Sequence, residues 1–194
     1  MWWKNRIFGG NAYQVLLWFV LYSILGWLVE SIYMSICNRK ITNRGFARGP
    51  MCPIYGFGAL TVFFILRPYS ENPFRLFVLG MFLATTLEFV TARIMQRVFG
   101  EIWWDYQEKP FNYQGIICLE SSIAWGFYTV ALFLFLHKMI VSMVDCVPAR
   151  AGKILGSVIM GAYLIDFMLT VYREKKSDLE DVLEESDERE RRFL

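Results

Sequence analysis

Residues 12–36 read AYQVLLWFVLYSILGWLVESIYMSI, and the interpretation of this stretch decides the fold. No charged residue occurs between Ile7 and Val29. At about 1.5 Å of rise per residue, a helix of this length covers a hydrocarbon core of roughly 30 Å. The run is too long for a signal peptide and carries no small-residue cleavage site, so the reading is a retained membrane helix.

Outward from it, residues 49–66 are uncharged but form a shorter run. It opens on Gly49-Pro50-Met51-Cys52-Pro53 and contains Gly56 and Gly58, which predicts a broken or re-entrant start. Bare N–H and C=O groups are too costly in lipid, so that start must face inward. Further helices are predicted at about 74–95, 116–136 and 154–172. The expected fold is an all-α polytopic membrane helix bundle with about five transmembrane helices over residues 1–176, followed by a charged tail at 177–194.

Composition agrees, since 56% hydrophobic and 18% aromatic residues are more than a soluble chain of 194 residues can bury. The net charge of +2 conceals a basic body, +7 over residues 1–177, and an acidic tail, −5 over 178–194. The basic residues lie between apolar runs, where they orient helices in a membrane; nucleic acid is not an expected partner. Cys37, Cys52, Cys118 and Cys146 form no ligand set with the lone His137, so no metal or other cofactor is indicated. His137 is assigned to the membrane interface. Ser177 and Glu180 have capping-box spacing, and Leu179, Val182 and Leu183 share a face, which fits a short amphipathic helix outside the membrane as well as it fits a solvated end.

Two pairs of helices look alike. Glu30 precedes a polar loop and Gly49-Pro-Met-Cys52, and Glu88 precedes a longer one and Gly115-Ile-Ile-Cys118. The Gly-x-x-Cys units are 66 residues apart and the glutamates 58. A parallel two-helix repeat, with halves at about 12–66 and 74–136, is one explanation, and chance is the other. Gly80, Ala84 and Ala92 in helix three, and Gly152 and Gly156 in helix five, are read as packing surfaces.

Glu30, Glu88, Glu120 and Asp166 stand within or at the ends of the apolar runs. An unpaired charge at the bilayer centre costs at least about 2.5–3.5 kcal/mol, so such groups are expected to be protonated, paired or facing a polar cavity. Alternating crossings place all four towards one membrane face. The polar loops emerging there bring Arg44 and Arg48 from the first and Trp104, Asp105, Tyr106 and Asn112 from the second. The pattern reads either as a cavity walled by acids and capped by arginines and aromatics, or as ion pairs that hold the fold. Ten basic residues flank this face and seven the other, which assigns it to the cytoplasm.

The blocks Gly26-Trp27 with Glu30, Asn43-Arg44-Gly45-Phe46 with Gly49 to Gly56, Leu87-Glu88, Trp104-Asp105-Tyr106 with Phe111-Asn112, and Gly115-Ile-Ile-Cys118 resemble the ABC-transporter type IV family, also called CmpB, of bacterial membrane proteins. The resemblance covers about residues 15–125 and adds Tyr55 to the candidate binding residues. It implies a permease-like subunit of the bacterial plasma membrane. No G-x-x-x-x-G-K-[ST] phosphate loop occurs, so the implied ATP hydrolysis belongs to a separate ATPase subunit. The leading reading is a transport-type subunit, embedded among membrane lipids, that binds a small polar or ionic solute or a lipid headgroup at Glu30, Arg44, Arg48, Tyr55, Glu88, Trp104, Asp105, Asn112 and Glu120. The alternatives are an intramembrane enzyme acting on lipid-linked substrates, for which no catalytic constellation is visible, and a structural partner of another membrane complex.

Overall fold

The computed structural model describes residues 6–7, 10–43 and 48–192. The chain folds as a helical bundle with two minor antiparallel β pairs. Arg6–Ile7 (β1) pairs with Gly10–Asn11 (β2), and Asn112–Tyr113 (β3) pairs with Ile117–Cys118 (β4). The helices are α1 (Ala12–Asn38), α2 (Pro53–Leu66), α3 (Pro73–Phe99), α4 (Leu119–Ala131), α5 (His137–Asp145) and α6 (Ala149–Arg192). A π-helical turn at Leu132–Leu136 joins α4 to α5, so that Leu119–Asp145 is one rod.

Four helices are long and apolar enough to cross a bilayer: Ala12–Asn38, Pro73–Phe99, Leu119–Asp145 and Ala149–Arg173. Helix α2 has 14 residues, about 21 Å of rise. It does not reach across on its own. Its start lies deep in the bundle, because the Cys52 N–H donates to the Ser23 carbonyl at 3.0 Å, fifteen residues before the end of α1. The described residues between Asn38 and Pro53 are not helical, and Cys52 lies back along α1 where Pro53 opens α2, as the Gly-Pro-rich sequence predicts.

Local sequence sets the other boundaries. Helix α1 stops at Arg39, whose φ of 51° is left-handed. Helix α3 begins with Pro73 at its first position, and Asn72 Oδ1 accepts from the Arg75 N–H at 3.0 Å. It ends at Gly100, with φ of 78°. Three boundaries differ from the sequence reading. The fourth span continues past Leu136 to Asp145, since His137 and Lys138 interrupt the hydropathy but not the helix. The fifth starts at Ala149 rather than near 154 and runs unbroken to Arg192, so the acidic tail prolongs a membrane helix instead of forming a separate short one. Residues 162–194 contain neither glycine nor proline to stop it.

Helix α1 packs on α2, α5 and α6, and α3 packs on α4 and α2. In the half of the bundle nearest the chain's start, Leu17, Trp18, Leu60, Leu66, Leu76, Leu132 and Ile140 form the apolar core. Glu30, Glu88 and Asp166 lie towards the other end.

The two hairpins, α1–α2 and α3–α4, share their details. Cys52 and Cys118 both cap the second helix. In the first, Gly56 lies against Phe19, and the Phe19 and Phe57 rings meet edge to face at 4.9 Å. In the second, Gly126 lies against Phe77, and Phe77 and Phe127 meet at 5.0 Å. A Cβ at either glycine would approach its phenylalanine ring to 2.7 Å, so only glycine lets the helices come this close. The packing register relates Tyr55-Gly56-Phe57 to Trp125-Gly126-Phe127, 70 residues apart, while the first helices keep the offset of 58. Helix α4 thus begins one turn earlier than α2 relative to its packing, and the offset of 66 between the cysteines reflects that extra turn.

Candidate functional site

Glu30 is half-buried in α1, and its Oε2 accepts a hydrogen bond from the Tyr55 hydroxyl at 2.7 Å. The approach depends on Gly26, one turn earlier, where a Cβ would stand 2.1 Å from Tyr55 Cγ. Glu88 occupies the matching position of α3 and is 9% exposed. Its Oε1 accepts from the Tyr106 hydroxyl at 3.1 Å, and its Oε2 accepts from Trp125 Nε1 at 3.0 Å and Ser121 Oγ at 3.4 Å. All three are neutral donors. They satisfy a buried carboxyl group without a cation, at far less cost than leaving it bare.

Each glutamate has its own tyrosine, Tyr55 for Glu30 and Tyr106 for Glu88. Tyr106 bonds to Glu88 while standing within electrostatic reach of the Tyr55 phenol, which bonds to Glu30. Burial, and then the neighbouring Glu88 carboxylate, push the Tyr106 hydroxyl above its usual pKa, so it stays protonated as a donor. Asp166 of α6 closes the other side: its Oδ2 accepts from the Gly49 N–H at 2.8 Å and pins the start of the returning segment. Tyr163, one turn earlier, lies within reach of Asp166 and Cys52.

The remaining candidates sit elsewhere. Asn112 staples the second loop, donating to the carbonyls of Gln107 and Lys109 at 3.0 and 2.8 Å and accepting from the Gly115 N–H at 3.2 Å. Trp104 Nε1 donates to the Ile116 carbonyl at 2.8 Å, and Asp105 Oδ1 accepts from the Gln107 N–H at 2.8 Å. Glu120 forms an exposed pair with Lys109 at 2.9 Å and holds that ammonium above its usual pKa. Arg48 is exposed, and Arg44 lies outside the described residues. A hollow of about 580 Å³ on this side of the bundle lies between α1 and the returning segment, bordered by Trp27, Ser31, Ser35 and Asn43; neither glutamate is on its wall. Among the described residues no group of His, Cys, Asp and Glu is placed to hold a metal ion.

Sequence reasoning missed Ser121, Trp125 and Tyr163, and put Tyr106 on this face without making it a candidate. One signal was available for Trp125. FVLYSILGWLVE at 19–30 and FVLGMFLATTLE at 77–88 share their Phe-Val-Leu, a later Leu and the final Glu, and the Tyr-Gly-Phe partnered with the first is answered by Trp-Gly-Phe in the second.

Four apolar helices of full membrane length around a knot of carboxyl and phenol groups define a multi-pass helical membrane protein. The family model described as "Putative ABC-transporter type IV" matches residues 17–171, and the chain belongs to that family. The match extends beyond the recognised motifs into α6. No curated protein and no solved structure gives a match.

Proposed function

We propose that the protein is a transport-type membrane subunit in which Glu30 and Tyr55, next to the Glu88–Tyr106 clasp, hold a small polar or ionic solute, or a lipid headgroup, on its way into or across the bilayer. Family membership supports a transporter-like role, and with it a separate ATPase subunit as partner, in a bacterial plasma membrane. The observation that carries the reading is the matched placing of two membrane carboxyl groups, one from each hairpin, each accepting from a tyrosine hydroxyl, with the two tyrosines within electrostatic reach of one another. Like positions of two parallel repeats converge on the repeat interface, where transporters of this construction place their sites.

The two glutamates differ in role. Glu88 accepts three donors and is closed off, which suits a clasp that fixes the second loop on α4. Glu30 is half-buried, with the Tyr55 hydroxyl as a donor for which a solute can compete. The test is Glu30→Gln against Glu88→Gln, each scored for melting temperature in detergent and for the solutes, lipids and proteins that co-purify. Glu88→Gln turns an amide N–H₂ towards its donors, and is expected to lower stability by about 1–3 kcal/mol. Glu30→Gln is expected to keep the fold and lose the co-purifying ligand. Retention of every co-purifying species by a folded Glu30→Gln protein overturns the proposal.

A further inference from the structure

A second cavity, of about 220 Å³, opens at the opposite end of the bundle. Its wall comes from the first turns of α1, the end of α2 and both ends of α5, at one end of the spanning helices. It also lies where the hairpins meet. Phe63 and Phe133, each three residues before a leucine and four before a polar side chain, stack at 5.3 Å, and those polar residues, Arg67 and His137, both line the cavity.

The cavity carries both signs of charge. Asp145 faces it with a carboxylate that is already oriented: Gln14 Nε2 donates to Asp145 Oδ1 at 2.9 Å, and Gln14 Oε1 is in turn held by the Asn11 N–H at 2.8 Å. Asp145 Oδ2 has no hydrogen-bond partner among the described residues. Arg67 supplies the cation and stands within electrostatic reach of His137. The imidazole is fixed by a 2.8 Å hydrogen bond between its Nδ1 and the Tyr22 hydroxyl, and by Phe63, whose ring centroid is 3.6 Å away. The π-helical turn sets its register, since the His137 N–H bonds to the Leu132 carbonyl five residues back; such turns recur at functional sites. Trp18, 4% exposed, lines the same cavity, and its indole N–H is a buried donor with no acceptor among the described residues. A buried donor in that state costs about 1–3 kcal/mol, an outlay that native proteins tend to accept where a ligand or water completes the set.

We infer that this cavity binds a zwitterionic phosphate ester of the phosphoethanolamine type, the phosphate towards Arg67 and the primary ammonium towards Asp145, with Trp18 and Phe63 as its apolar wall. A ligand that is only an anion would meet Asp145, and one that is only a cation would meet Arg67. The volume takes a headgroup but no acyl chain. The chemistry is that of a lipid headgroup at the interface or of a soluble phosphoethanolamine, and the site is independent of the glutamate knot at the other end.

The test titrates delipidated full-length protein in detergent with three probes: phosphoethanolamine, short-chain phosphatidylethanolamine and short-chain phosphatidylglycerol, reading occupancy by native mass spectrometry and melting temperature. Wild-type protein is expected to bind an ethanolamine probe at least tenfold more tightly than the glycerol lipid. Binding of the free ester but not the lipid assigns a soluble source, and binding of the lipid, with or without the free ester, assigns a membrane source. Arg67→Gln is expected to weaken binding tenfold or more, and Asp145→Asn to erase the preference for ethanolamine. Both side chains are exposed, so a folded version of either variant suffices. Equal affinity for the two lipids in the wild type, or wild-type ethanolamine binding by a folded Arg67→Gln or Asp145→Asn protein, overturns the assignment.

Discussion

A carboxyl group inside a membrane helix announces itself in the sequence, because nothing in an apolar run explains it except a partner or a ligand. That is why Glu30 and Glu88 were legible. Their partners were not: Tyr55, Tyr106, Ser121 and Trp125 are neutral, ordinary in membrane helices and loops, and identifiable only once the helices are packed. The loop residues Trp104, Asp105 and Asn112 illustrate the converse. Polar and aromatic side chains near a site look like its rim, yet here each bonds to main-chain groups of the loop itself. If Trp125 serves Glu88 as a donor, Trp125→Phe keeps the ring and removes the N–H, and the buried oxygen should cost about 1–3 kcal/mol. Tyr55→Phe tests the other hairpin by the same logic. A melting series in one detergent settles both, and unchanged stability in Trp125→Phe would mean that the indole contact does not hold α3 to α4.

Between elements, the sequence disclosed where chains enter the bilayer better than where helices end. Gly49-Pro50 and Pro53 foretold the irregular start of α2, since proline and glycine act through local backbone rules that the rest of the fold does not override. His137 and Lys138 suggested an end that is not there, because long polar side chains reach the interface while their backbone stays helical. The likeness of the two hairpins was suggested by their cysteines, but the packing register follows Gly56 and Gly126, which only contact distances reveal. Those glycines permit a sharp comparison. Gly56→Val and Gly126→Val should each destabilise by about 1–3 kcal/mol through overpacking, or more if the hairpin separates. Gly58→Ala and Gly161→Ala, where a Cβ meets nothing within 4 Å, should be neutral or slightly stabilising. Thermal melts of the four variants discriminate, and tolerance of valine at both packed glycines would remove the close hairpin contact from the account.

At the scale of the whole molecule, one end of the bundle holds the apolar core and the zwitterion cavity, and the other holds the glutamate knot and the charged continuation of α6. Helix α6 starts at Ala149, four residues after Asp145 and beside the first turns of α1, and carries Asp166 to Gly49 at the far end. Its 44 residues give about 66 Å of rise, of which Ala149–Arg173 accounts for some 37 Å, so a helical rod of nearly 30 Å projects beyond the span. If α2 and the segment leading into it together make a crossing beside the four spanning helices, the chain crosses five times, which predicts its start and its acidic end on opposite sides of the membrane. The excess of basic residues on the acidic side predicts that this side faces the cytoplasm. Reporters that are active in only one compartment, fused after Leu194 and before Met1, should give a cytoplasmic signal from the first and an external signal from the second. Two cytoplasmic signals would require an even number of crossings, which would turn α2 into a re-entrant hairpin that never emerges and move the zwitterion cavity away from an interface. Opposite signals with the tail outside would keep the fold, reverse the orientation and leave the projecting rod without a cytoplasmic partner.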